Sequence, residues 1–178
     1  MTTTVRVWRQ SIRLAHWALA GSVLTCLVMY QGGAWHERLG YLALSVTAWR
    51  IATGLIGPAG DRFSAFVRSP AATLAYAQAM RHGTEPRHLG HNPLGAWMIL
   101  ALLAAAGLAA SSGAVYLTDA YWGDAAVYRL HQVAGWSLAL LVPLHLGGVA
   151  LTSWLQRENL VKAMLTGTKR AATPGDVD

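Results

Sequence analysis

Four histidines of this chain have types and spacings that could build two ligand sites. His131 and His145 lie 14 residues apart in one long apolar segment. An α-helix has about 3.6 residues per turn, so this spacing is nearly four turns and places both side chains on one face. The rise of about 1.5 Å per residue separates them by roughly 21 Å along the helix. The other two, His16 and His36, lie in or next to the first two apolar segments.

The segments that must position these histidines are long and apolar. The chain has 178 residues, of which 54% are hydrophobic and 12% are charged, about half the charged share of a soluble protein. A transmembrane helix requires roughly 20 mostly apolar residues. Four segments meet or approach this length: 14–30, 39–56, 94–117 and 127–155. The predicted fold is therefore an all-α integral membrane protein, a single four-transmembrane-helix bundle.

Positive charge is distributed unevenly between the two ends of the predicted spans. With four spans, both termini and the connection 61–92 lie on one side, which carries all but two of the 14 Lys and Arg residues. The other side carries Arg38 and Arg129. Because cytoplasmic loops are enriched in Lys and Arg, we expect both termini to be cytoplasmic. The net charge of +6 then reflects topology and lipid attraction, and does not indicate nucleic-acid binding.

The cytoplasmic connection 61–92 is the only sizeable predicted extramembrane region. Ser69 and Pro70 are typical of a helix N-cap and first helical position, and they predict a short helix ending near Arg81. The three histidines of this connection are interpreted as solvated loop residues: His82, His88 and His91. The polar tail 171–178 is predicted to be disordered.

The orientation of the spans sorts the other four histidines into two pairs by depth. The first span runs outward from the cytoplasm, so His16 lies on the inner side at the depth of His145. The second and fourth spans both begin outside, so His36 lies on the outer side at the depth of His131. Two stacked histidine pairs are what two bis-histidine haems require, with one imidazole on each face of each porphyrin.

Small and cationic residues near these histidines fit the same interpretation. Gly135 and Gly148 follow His131 and His145 by about one turn and would leave room for a flat macrocycle. With both axial positions filled, the iron would transfer electrons in preference to binding oxygen. Haem propionates are anionic, so four arginines are candidate partners, although snorkelling to the interface would explain them equally well: Arg13, Arg50, Arg38 and Arg129.

Other chemistries stay open or are excluded by composition. The histidines could instead make polar contacts in a haem-free membrane anchor, or belong to a histidine-based metal carrier, although a metal site would cluster its ligands at one depth. The single cysteine, Cys26, excludes a c-type haem and a disulfide–quinone oxidoreductase. The spans contain no acidic residue, which argues against cation transport. Small residues in the third span would permit a homodimer if that span faced lipid.

Short motifs that extend along most of the chain carry a resemblance to a known family. They are Val7-Trp8, Arg13-Leu14, His16-Trp17, His36 with Gly40-Tyr41, Arg50 with Gly54, Phe66-Val67-Arg68-Ser69-Pro70, the stretch from Gly90 to Ala96, His131 and His145. In order and spacing they resemble the bacterial cytochrome b561 family, which includes the b-type cytochrome subunit of nickel–iron hydrogenases. The resemblance implies a four-helix bundle in the bacterial inner membrane. It also implies two haems b with four axial ligands: His16, His36, His131 and His145.

The resemblance further implies a link between the membrane quinone pool and a redox partner outside the membrane. Because the outer connections are short, we expect a periplasmic c-type cytochrome in preference to a large hydrogenase. Whether the chain itself acts as a quinol–quinone oxidoreductase is left open, since no quinone-site signature is present. Three residues of the outer connection could contact a quinone or a partner, or could simply anchor it at the interface: Asp119, Tyr121 and Trp122.

Overall fold

The computed structural model describes residues 4–177 as seven α-helices, one turn of 3-10 helix (Ala59–Asp61) and one two-stranded sheet. Four of the helices are long and apolar enough to cross a membrane: α1 (Gln10–Val28), α2 (Ala34–Ile56), α5 (Pro93–Tyr116) and α6 (Ala125–Leu155). The short elements are α3 (Phe63–Phe66), α4 (Pro70–His82), α7 (Leu160–Thr166), β1 (Thr4–Arg6) and β2 (Thr168–Arg170). Each of the four predicted spans corresponds to one of these helices, which begins one to five residues earlier than predicted.

Polar caps explain where the last two spans begin. The Asn92 side chain accepts a hydrogen bond of 2.7 Å from the Gly95 N–H, and Pro93 takes the first helical position. The Asp124 carboxylate accepts bonds of 2.8 and 2.9 Å from the N–H groups of Ala126 and Val127. Each helix therefore starts at a capping residue that lies outside the apolar segment.

The small residues of α5 face the interior of the bundle. Helix α5 packs along α2 and α6, and α1 packs along α2, whereas α1 and α6 touch only slightly. Ala105, Ala106 and Ala109 of α5 form a buried core with Ala134 and Leu138 of α6. These small residues therefore allow close helix packing within the chain.

A small layer covers the end of the bundle that is predicted to face the cytoplasm, and we call it the cytoplasmic layer. Strand β1 pairs antiparallel with β2, with Val5 opposite Lys169, and the Gly167 carbonyl accepts hydrogen bonds from Val7 and Trp8. The predicted connection helix is confirmed as α4, and the Ser69 hydroxyl caps it by accepting from the Ala72 N–H at 3.2 Å. The two ends of the chain therefore meet beside the inner ends of α1 and α6.

The C-terminal tail is folded onto this layer, which corrects the predicted disorder of 171–178. The buried Arg87 guanidinium donates to Glu158 at 2.6 Å and to Asp176 at 2.5 Å. The Val177 N–H donates to the Arg87 carbonyl at 2.8 Å, and its own carbonyl accepts from Leu89 at 2.9 Å. The composition of the tail conceals this contact because Arg87 and Asp176 are 89 residues apart. Asp178 lies outside the described residues.

Candidate functional site

The four span histidines lie in the two pairs that their depths predict. We call His16 and His145 the inner pair and His36 and His131 the outer pair, after the predicted orientation. The inner pair joins α1 to α6, with ring centroids 6.4 Å apart. The outer pair joins α2 to α6, with centroids 5.9 Å apart. Helix α6 therefore contributes one histidine to each pair.

Hydrogen bonds to the backbone orient both rings of the outer pair. Nδ1 of His36 lies 3.0 Å from the Met29 carbonyl oxygen, and Nδ1 of His131 lies 2.9 Å from the Ala109 carbonyl oxygen. A carbonyl accepts only, so each Nδ1 carries the proton and donates it. This tautomer leaves the lone pair of each Nε2 free to bind a metal ion.

The inner pair lacks this support. Nδ1 of His16 is buried and has no hydrogen-bond partner among residues 4–177. Its ring is held by packing instead, with the edge of Trp17 at a centroid distance of 5.0 Å. A neutral imidazole that is held by packing alone can adopt either tautomer, so either of its ring nitrogens could bind a metal ion.

The separations of both pairs fit an iron atom between the rings. A metal–imidazole bond is about 2 Å long, so two facing nitrogens that share one metal are about 4 Å apart. The half-widths of the two five-membered rings account for the rest of the centroid distances of 6.4 and 5.9 Å. Both pairs are therefore spaced for bis-imidazole coordination and need little movement to achieve it.

Open space lies beside three of these histidines, as a flat macrocycle would require. A Cβ built on Gly40, Gly135 or Gly148 would meet no atom within 4 Å. These glycines follow His36, His131 and His145 by three or four residues, so each lies on the ligand face of its helix. The donor set, its spacing and the surrounding room therefore fit haem.

The candidate arginines differ in how their guanidinium groups are engaged. Arg50 of α2 is 9% exposed, its Nη1 has no partner in the described chain, and its guanidinium lies 4.8 Å from the Phe63 ring centroid. Arg13 donates to the carbonyl oxygens of Met164 and Leu165 at the end of α7. Arg38 and Arg129 are exposed. Arg50 is therefore the arginine that most needs an anionic partner.

Of the three loop histidines, His88 is buried and His91 is half-buried, which corrects their interpretation as solvated residues. The His88 ring packs edge-on against Tyr76, with centroids 5.3 Å apart, and burial lowers its pKa, as do Arg68 and Lys169. His91 packs between Trp8 and Phe66. His82 is exposed as predicted. The sequence signal at His91 is its position beside the Asn92-Pro93 cap, which holds this part of the connection against the bundle.

His91 connects the cytoplasmic layer to the inner pair. Its pKa is lowered to about 3, first by burial and then by the positive charges of Lys169, Arg50 and the two inner histidines. A cavity of about 270 Å³ lies beside it, and its lining includes Trp8, Arg50, Phe66 and His91. The Trp8 Nε1 is buried without a partner in the described residues. This end of the bundle therefore combines aromatic walls with buried donors.

Within residues 4–177, no group of three or more His, Cys, Asp or Glu side chains could hold a metal ion. A free metal ion of a carrier would require such a cluster, together with supporting carboxylates. The paired geometry is instead that of a metal whose remaining ligands come from a macrocycle. The metal-carrier alternative therefore has no support from the arrangement of these side chains.

Comparison with known families agrees with this geometry. The family model of prokaryotic cytochrome b561 matches residues 7–167. The chain belongs to this family. As a cytochrome b561 it is a multi-pass membrane b-type cytochrome that binds haem b and transfers electrons. The matched region contains all four spans and both histidine pairs. No curated protein and no solved structure shows significant similarity to the chain.

Proposed function

We propose that this cytochrome b561 holds two haems b and carries electrons across the bacterial inner membrane. Its partners would be the quinone pool and a periplasmic redox protein. The observation that carries the proposal is the presence of two facing histidine pairs at opposite ends of one bundle. The α6 members of the two pairs are separated by roughly 21 Å along the helix. Two carriers at these depths would divide the membrane crossing into shorter transfers.

In this proposal His16 and His145 hold the inner haem, and His36 and His131 hold the outer haem. Haem b supplies a one-electron carrier, and two histidine ligands leave its iron no open position for oxygen. The backbone hydrogen bonds of the outer pair keep its imidazoles oriented during electron transfer. The core between the pairs, which includes Ala105 and Leu138, excludes water from the middle of the bundle.

Arg50 is proposed to bind a propionate of the inner haem. Its guanidinium is buried and its Nη1 lacks a partner among the described residues, so an anionic oxygen would satisfy it. Arg13 remains a weaker candidate because its donors already bind the end of α7. The outer arginines, Arg38 and Arg129, are exposed and could serve the outer haem or the membrane interface.

The orientation of the chain in the membrane is proposed from its charge distribution, and the redox partner is proposed from the size of the outer surface. Both termini are assigned to the cytoplasm because nearly all Lys and Arg residues lie at that end. The outer connections are short and expose Asp119, Tyr121 and Trp122. This small surface favours a small periplasmic c-type cytochrome as the partner, with quinone contact as the alternative use of these residues. A direct quinol–quinone oxidoreductase activity stays a secondary candidate.

The pairing is tested by comparing two variants that change opposite helices. His16→Ala and His145→Ala should each leave one haem per chain, and the remaining haem should have the same reduced spectrum in both. Each variant removes one axial ligand of the same proposed site. Loss of different haems in the two variants would contradict the pairing, and retention of two haems in either would remove that histidine from the ligand set. A haem-free protein that still supports its partner's activity would favour the anchor alternative.

A further inference from the structure

The buried cationic side chains of the described residues all lie at the cytoplasmic end of the bundle. Three of them are at most 9% exposed: Arg50, Arg87 and Lys169. Arg87 forms ion pairs with two carboxylates, Glu158 and Asp176, so its own positive charge is more than compensated. Lys169 has no carboxylate within 4 Å in the described chain. Its ammonium donates instead to the carbonyl oxygens of His88 at 3.1 Å and Gly90 at 3.3 Å.

Lys169 lies at one end of a row of four neighbouring aromatic rings, which we call the aromatic row. Its Nζ is 5.2 Å from the Trp8 ring centroid. Successive centroid distances along the row are 5.6 Å from Trp8 to His91, 4.8 Å from His91 to Phe66, and 6.1 Å from Phe66 to Phe63. The Arg50 guanidinium covers the far end at 4.8 Å from Phe63. A cation therefore lies at each end of the row.

The aromatic row places both cations near the inner pair. His91, in the middle of the row, interacts electrostatically with Lys169, Arg50, His16 and His145. The low polarity of the rings leaves the field of the Lys169 ammonium poorly screened in this direction. At the outer end, by contrast, Arg38 and Arg129 are exposed, and water and salt screen their fields. The Lys169 and Arg50 charges should therefore act more strongly on the inner pair than Arg38 and Arg129 act on the outer pair.

We propose that Lys169 is a tuning residue whose buried ammonium raises the reduction potential of the inner haem more than that of the outer haem. The inference rests on the proposed two-haem function. Reduction adds one electron, and a nearby fixed positive charge stabilises the reduced form. When an electron passes from the outer to the inner haem, the outer haem is oxidised and the inner haem is reduced. A higher inner potential therefore favours the electron on the inner haem, at the cytoplasmic end. A buried unit charge on the order of 10 Å away changes such an equilibrium about tenfold at an effective dielectric constant near 20.

The two lysines of the chain form a matched pair for a test. Lys169 is 4% exposed, whereas Lys162, on the neighbouring helix α7, is exposed. Lys169→Met removes the charge and keeps the length of the side chain, and Lys169→Arg keeps the charge. Lys162→Met removes an equal charge from the same side of the protein, so it controls for net charge.

The experiment is a redox titration of the holoprotein, followed by absorbance, after haem per chain has been counted. Lys169→Met should lower the inner midpoint potential by about 59 mV, which corresponds to a tenfold change for a one-electron couple. The outer midpoint should stay unchanged. Lys169→Arg and Lys162→Met should behave as the wild type. In a His16→Ala background, which lacks the proposed inner haem, Lys169→Met should change nothing.

Several results would overturn the inference and leave the two-haem function standing. One is a Lys169→Met protein that keeps two haems with unchanged midpoint potentials. A second is a Lys169→Met protein in which the inner and outer potentials shift by the same amount. The third is a Lys162→Met protein whose inner potential shifts as much as that of Lys169→Met. Fewer than two haems in the wild type would instead overturn the proposed function. These two kinds of failure are distinguished by the haem count.

If Lys169→Met loses haem, the tuning role of Lys169 is tested instead by measuring the inner midpoint potential of the wild type over a series of pH values. The pKa of Lys169 is lowered to about 8 by burial and by Arg87, against the opposing effects of Glu158 and Asp176. The charge is present below this pH and lost above it, so the inner potential should fall as pH rises through about 8. His88 and His91, whose pKa values are lowered, are already neutral there. A potential that is constant across this range would contradict the tuning role.

Discussion

The inner and outer histidine pairs share a helix and a spacing, but they are supported in different ways. The outer rings are fixed by hydrogen bonds from their Nδ1 atoms to backbone carbonyl oxygens. The inner His16 has no such bond among the described residues, and buried cations and aromatic rings lie nearby. The outer pair therefore has oriented rings, whereas the inner pair has buried positive charges in its surroundings.

This difference predicts that the two sites respond to different kinds of substitution. Changes in packing around α5 and α6 should disturb the outer haem, because its ligands depend on backbone geometry. Changes of charge in the cytoplasmic layer should disturb the inner haem, because its surroundings supply positive potential. Comparing the same kind of substitution at the inner and the outer end can separate the effects of packing from those of charge.

The largest effect is expected from removal of an outer ligand. His131→Ala should lose the outer haem entirely and keep the inner one, so haem per chain falls by half. The neighbouring Gln132→Ala is the control, since Gln132 is exposed on the same helix turn. Haem quantification and reduced spectra measure both. Equal haem content in the two variants would remove His131 from the ligand set.

A large effect specific to the inner site is expected from Arg50. Arg50→Leu leaves a propionate of the inner haem without its charged donor, and this should weaken haem retention about tenfold, as loss of a hydrogen bond to a charged group does. Arg38→Leu removes an exposed arginine at the outer end and should have little effect. Haem loss to apomyoglobin over time measures retention. Equal rates in both variants would contradict the assignment of Arg50.

A moderate effect specific to the outer site is expected from a glycine of α5. A Cβ on Gly113 would lie 3.0 Å from Cε1 of His131, whereas a Cβ on Gly107 would meet only a methyl group of Thr47 at 3.5 Å. Gly113→Ala should therefore tilt the His131 ring and alter the outer haem signal, at a cost of about 1–3 kcal/mol of overpacking. Gly107→Ala should be tolerated. Low-temperature electron paramagnetic resonance reports the ring geometry, and identical spectra would contradict this close contact.

The smallest effect on the haems is expected from release of the tail. Arg87→Met removes the cation that joins Glu158 and Asp176, so the carboxylates lose their partner and the tail should detach. Cleavage of residues 171–177 by protease should become more than about tenfold faster, because breaking a buried ion pair is strongly destabilising. Arg81→Met, at an exposed position of α4, is the control. Resistance of the Arg87 variant would show that backbone pairing of Val177 holds the tail alone.

The sequence predicts the membrane bundle and the histidine pairing well, because both depend on local signals. Apolar length fixes the spans, and the 14-residue spacing of His131 and His145 follows from helix geometry alone. The pairing of His16 with His145, and of His36 with His131, then needs only the alternating direction of the spans. The family motifs supplied the same four residues independently.

The cytoplasmic layer was not predictable in the same way because its contacts join distant segments. The strand pairing of Val5 with Lys169, and the ion pair of Arg87 with Asp176, leave no periodic signal in the sequence. His91 looked like a loop residue, since the rings that bury it come from the N-terminus and from α3. The sequence also left the orientation of α5 open, because small residues suit a lipid-facing and a buried helix surface equally well.

The central claim is that one chain holds two b-type haems, and haem counting tests it most directly. Purified protein from cells with ample haem would be assayed as a pyridine haemochrome, with a dithionite-reduced minus oxidised spectrum of the same sample. Two b-type haems per chain are predicted. One haem would contradict one of the two histidine pairs, and none in a folded preparation would contradict both.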